Sequence, residues 1–174
     1  MSDVDETVID DVRYLFVWSD APAFVRERVS VFWQEQGVVP AGDETERLNE
    51  LVLVAMTDSD EVLCVCSGRP RTHEPLGIPL HELRLLTKAG LRHHRLASNA
   101  IQTAYQKLGE HNQSISPPDA VGLIFILENQ QLMLSQRQPI WITNRAIHVG
   151  LNDAGHDVRI RYFPQARLSD LKRT

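Results

Sequence analysis

Apolar positions along this chain change their period several times, and the changes mark out its elements. Residues 12–18, VRYLFVW, are rich in β-branched and aromatic side chains and predict a strand. From 19 to 37 the period becomes helical. Phe24, Val25, Val29, Phe32 and Trp33 share one stripe, Ser19 or Asp20 offers a cap, and Pro22 falls in the first turn. A polar link with a helical turn follows at 41–49. Two apolar runs, 50–57 and 61–68, flank a polar DSD and predict a hairpin. Residues 69–79 hold three prolines and a glycine and predict a loop, and a third apolar run fills 80–86. Leu96, Ala97, Ala100, Ile101, Ala104, Tyr105 and Leu108 recur at three- and four-residue spacing, an amphipathic helix over about 93–110. After a loop at 111–119, residues 120–128 are nearly continuously apolar, as in a strand covered on both faces. A short helix is predicted around 138–145. Residues 146–152 and 157–164, joined by DAGH, predict a closing hairpin.

The order is β, α, three strands, α, β, α, β, β. Strands that alternate with helices in places and form hairpins in others predict a mixed α/β (α+β) fold on a central, mostly antiparallel sheet. A length of 174 residues suits one domain. We place it at 11–164, after a flexible acidic arm at 1–10 and before a polar tail at 165–174. The net charge of −5 argues against general nucleic-acid binding, so any anion site must be local. No apolar run reaches the roughly 20 residues that span a bilayer. The acidic first residues lack an apolar signal core, so a cytoplasmic protein is expected. Cys64 and Cys66 lie two apart on one strand face and read as free buried thiols.

The densest positive charge of this acidic chain stands at one helix start: Lys88, Arg92, His93, His94 and Arg95. A helix N-terminus offers unpaired N–H groups and about half a positive charge, where phosphates sit well. Arg92 and Arg95 can add bidentate hydrogen bonds, Lys88 a point charge, and the two histidines further donors.

The order and lengths of the elements over residues 11–164 resemble the GNAT acetyltransferase fold. RLNELVLVAMTDSDEVLCVCSG resembles that family's second and third strands, and GHDVRIRYFP its closing strand. The family holds the pyrophosphate of acyl-CoA in a turn of pattern Q/R-x-x-G-x-G/A. Here the same place holds Arg92, His93, His94, Arg95, Leu96 and Ala97. Arg92 fits the first position and Ala97 the last, while Arg95 replaces the middle glycine and its freedom at positive φ. The resemblance implies an acyl-CoA substrate, acetyl-CoA first, and transfer of the acyl group to a primary amine.

The family's general base lies on the strand before this turn, where the candidates are His81 and Glu82, on opposite faces. Backbone amides of Leu85, Leu86 and Thr87 would meet the pantetheine and the thioester carbonyl. Asn129 fits the family's Asn after the fifth strand. The Tyr expected seven residues on is Gln136, so the usual general acid is absent in this register, and a register starting near Pro139 offers only Trp141. Tyr105 reads as a packing residue. Arg69, Arg71, His73 and Glu74 are candidates for an acceptor site. No histidine or cysteine spacing suggests a metal. A homodimer through the apolar final hairpin fits the family's habit. Two other classes stay open: a GNAT-like CoA-binding or protein-interaction module without catalysis, and an unrelated α/β protein that binds another phosphate ligand.

Overall fold

A computed structural model of the chain describes residues 4–38, 44–91, 95–135 and 137–170. Its elements are β1 (Asp5–Ile9), β2 (Val12–Phe16), α1 (Ala23–Gln36), α2 (Glu44–Asn49), β3 (Leu51–Met56), β4 (Val62–His73), β5 (Ile78–Thr87), α3 (Leu96–Ser114), β6 (Gly122–Leu127), α4 (Gln130–Ser135), β7 (Ile147–Leu151) and β8 (Asp157–Tyr162). One sheet runs in the order β1-β2-β3-β4-β5-β6-β8-β7. Consecutive strands joined by short turns pair antiparallel. β5 and β6, connected through α3, pair in parallel over His81↔Leu123, Glu82↔Ile124 and Leu83↔Phe125. This is the mixed, mostly antiparallel α/β architecture that the order of elements predicts.

The described chain forms two compact units. The first joins the residues up to Gly68 with Leu85–Ala104. In its core the α1 stripe Val25, Val29, Phe32 and Trp33 packs with Leu15, Leu51, Val54, Met56 and Val65. Each such fully buried side chain contributes about 1.5–3 kcal/mol through loss of apolar contact with water. The second joins Arg69–Arg84 with the residues from Tyr105 onward. Its core gathers Ile78, Leu80, Val121, Ile124, Val158 and Ile160. Cys64 and Cys66 are free and buried, and burial pushes the Cys66 thiol up to about 12.

Five local expectations change. Within the predicted arm, Asp5–Ile9 form β1, antiparallel to β2. Asp10 and Asp11 make the turn at φ 51° and 60°, and an aspartate tolerates this left-handed region better than most residues. Helix α1 starts at Pro22 without a side-chain cap, and Ser19 lies at φ 64°. Phe24 leaves the stripe and is 46% exposed. The predicted loop at 69–79 shrinks to a turn, because β4 runs on to His73. There the His73 carbonyl accepts from Leu76 and Gly77 at 2.9 and 2.8 Å, with Gly77 at φ 61°. The predicted helix at 138–145 is instead a bridged arch, in which the Trp141 N–H donates to Ala146 and the His148 N–H to Pro139. The helix of this region lies earlier, at Gln130–Ser135.

Candidate active site

Strand β5 alternates faces, and this separates the two candidate bases. His81 is fully buried. Asn112, on the second half of α3, donates to its Nε2 at 3.0 Å. The neutral ring therefore carries its proton on Nδ1. Asn112 also donates to the Leu108 carbonyl at 2.8 Å and accepts from the Ala120 N–H at 2.9 Å. Burial pushes the His81 imidazole down to about 4; Asp119 acts against the shift and His111 with it. A ring without solvent access and with its lone pair engaged is a core residue, and this corrects its reading as a candidate base. Glu82 lies on the accessible face. Its carboxylate accepts from Arg84 at 3.0 Å and lies 3.8 Å from Arg71. Arg71 and Glu82, named above as candidates for acceptor site and base, thus come together.

The candidates of the first unit sit at the end of β5 and the start of α3. Leu85, Leu86 and Thr87 are half-buried. They follow the parallel ladder, whose last pair is Leu83↔Phe125. The next residue ties the strand end to β4, the Lys88 N–H donating to the Leu63 carbonyl at 2.8 Å. The Lys88 ammonium pairs with Glu61, which holds its pKa above the usual lysine value. Arg92, His93 and His94 lie outside the described residues. Arg95 is exposed and opens α3: its carbonyl accepts from the Asn99 N–H at 2.8 Å and from the Ser98 hydroxyl at 2.7 Å. Leu96 turns into the core and Ala97 is half-buried.

Asn129 belongs to the second unit, where it caps α4. Its side-chain oxygen accepts from the Leu132 N–H at 3.1 Å and its carbonyl from Met133 at 3.0 Å. Gln136 lies outside the described residues. Tyr105 is a packing residue, as read from the sequence. Its hydroxyl donates to the Tyr162 carbonyl at 3.0 Å, and its ring lies 5.5 Å from Phe163 and under the Arg161 guanidinium. Trp141 packs edge-on against Phe125 at 6.2 Å.

Sequence reading missed one charged cluster. Asp157, almost buried, accepts from Arg159 Nε at 2.7 Å and pairs with His148 Nδ1 at 2.5 Å. Register creates it, since His148 pairs with Arg159 across β7 and β8, and no local motif announces it. Asn112 was missed likewise, because its partners are 31 and 8 residues away.

The described fold is that of the GNAT acetyltransferases. A GNAT-family acetyltransferase from Listeria monocytogenes superposes at a TM-score of 0.57 and 13% identity, over 91% of this chain and 99% of that one. The ribosomal-protein-S5-alanine acetyltransferase of Vibrio fischeri gives 0.60 and 8%, over 94% and 99%. AtaTR bound with acetyl-CoA gives 0.57 and 14%, over 89% and 95%. No protein-family model matches the sequence, and no curated protein does. Among the described residues, no helix is long and apolar enough to cross a membrane.

Proposed function

We propose that this chain binds an acyl-CoA, acetyl-CoA first, and transfers the acyl group to a primary amine. The observation that carries the reading is the likeness over about nine-tenths of the chain to a solved structure with acetyl-CoA bound. The basic helix start supports it independently of ancestry. In this reading Arg92, His93, His94 and Arg95, with the first amides of α3 at Leu96 and Ala97, hold the pyrophosphate. The amides of Leu85–Thr87 hold the pantetheine and polarise the thioester carbonyl. Glu82 takes the proton of the acceptor ammonium, directly or through water. The amine nitrogen then attacks the carbonyl carbon, the C–S bond breaks, and the surplus proton of the nitrogen passes through water to the departing thiolate. Asn129 contributes by fixing α4, since its side-chain oxygen is engaged in the cap.

A second reading, a CoA-binding module without turnover, is favoured by one observation: Arg84 and Arg71 already occupy the Glu82 carboxylate, in competition with an acceptor amine. Calorimetry with acetyl-CoA, beside the Arg92→Ala/Arg95→Ala variant, tests the shared part. We expect micromolar binding, lost by at least about a hundredfold in the double variant, since each charge-assisted contact is worth roughly 1.5–3 kcal/mol. A folded protein that ignores millimolar acetyl-CoA ends both readings. Thiol release with an amine panel separates them, and Glu82→Gln then lowers kcat with little change in acetyl-CoA affinity.

A further inference from the structure

The first compact unit holds a cavity of about 380 Å³ at the end of the β1–β2 hairpin, facing the first turn of α3. Its size falls within the range of small-ligand sites. Ile9, Val12, Leu63, Leu91 and Leu96 give it aliphatic walls. Tyr14 and Asn99 add a polar floor. Tyr14 is 1% exposed, so its side chain is built into the fold beside Asn99. Two exposed residues of opposite charge, Asp10 and Arg95, complete the lining. The backbone of Asp10 is set by the tight turn at φ 51°, and that of Arg95 by the start of α3.

A simple anion entering this cavity meets Asp10, and a simple cation meets Arg95. A neutral apolar molecule leaves both charges unused. We propose that the cavity binds a small apolar zwitterion, an apolar α-amino acid being its simplest form. The carboxylate pairs with Arg95, the ammonium with Asp10, and the side chain fills the space among Ile9, Val12, Leu63 and Leu91. The proposal does not rest on acyl-CoA binding, for which it makes Arg95 a shared and contested residue, and its test contains no CoA.

The test follows backbone amide shifts of the full chain by NMR during titration with L-phenylalanine, phenylacetate and phenethylamine. We expect saturable shifts with L-phenylalanine at Val12, Leu63, Leu91 and Asn99. Each half-molecule should bind at least about tenfold more weakly, because it forfeits one charge-assisted contact and keeps one repulsion. Leu63→Trp should fill the cavity and abolish the shifts. Asp10→Asn, an exposed position, should lower the affinity for L-phenylalanine and raise that for phenylacetate, which decides the matter even where Leu63→Trp does not fold. No saturable shift at about 10 mM L-phenylalanine, shifts centred elsewhere, equal binding of phenylacetate, or indifference to Asp10→Asn overturns the proposal.

Discussion

His81 shows how one buried side chain ties pH to stability. It is neutral in the folded chain, bonded to Asn112, with its pKa lowered from 6.5 to about 4 by burial. Between those two values the unfolded chain binds a proton that the folded chain refuses. Stability contributed by this site is therefore full above pH 6.5 and is lost as pH falls towards 4. The loss amounts to roughly 3 kcal/mol at the lower end, at about 1.4 kcal/mol per pH unit. Urea denaturation at pH 7 and pH 4 should show it. His81→Gln, which can still bond Asn112, should be less stable than the parent at pH 7 and should lose about 3 kcal/mol less on acidification. Equal pH slopes in parent and variant would mean that the ring is protonated in place. Period-two alternation was legible in the sequence and put His81 and Glu82 on opposite faces. Which face is interior depends on Asn112, Phe163 and the β5–β6 register, and no pattern local to 80–86 carries that information.

At the scale of elements, the β1–β2 hairpin departs furthest from its sequence pattern. Residues 5–9 alternate weakly and begin with two acids, so hydrophobic periodicity gives them little weight. Their pairing rests on the turn that follows, with Asp10 and Asp11 both left-handed, and on ladder bonds to β2. Acidic side chains on an edge strand also discourage pairing with other chains. Asp11→Gly relieves the left-handed penalty and should leave the protein equally stable or up to about 1 kcal/mol more stable. Asp11→Val puts a β-branched residue at φ 60° and should cost about 1–2 kcal/mol by thermal or urea unfolding. Two silent substitutions would instead fit a flexible acidic arm. Strands β3 and β6 and the first half of β4 were legible because burial on both faces demands continuous apolar runs. Helix α1 was legible because four of its five stripe residues enter the core. The arch at 137–146 was not, because Pro139 and the bridge of Ile140 to Ile147 overrule a helical spacing.

For the whole molecule, the contest is between a net charge of −5 and one basic helix start. Acetyl-CoA is a polyanion. If the overall charge governed its encounter, added salt would screen repulsion and tighten binding. If Arg92 and Arg95 govern it at contact distance, salt screens attraction and weakens binding. The Debye length falls from about 14 Å at 50 mM salt to about 4 Å at 500 mM, so the net charge acts only through the dilute end of that range. In the proposed reading, contacts at the helix start act at a few ångströms and dominate the binding energy. We expect the acetyl-CoA dissociation constant to rise roughly three- to tenfold over that range in sodium chloride, measured by calorimetry. In Arg92→Ala/Arg95→Ala the residual slope should flatten or change sign. A constant that falls with salt in the parent would put the ligand away from the basic turn, even where binding itself is observed. The fold was legible from the order of elements alone; the acceptor was not, because the pairing of Glu82 with Arg71 reflects which strands meet rather than any motif.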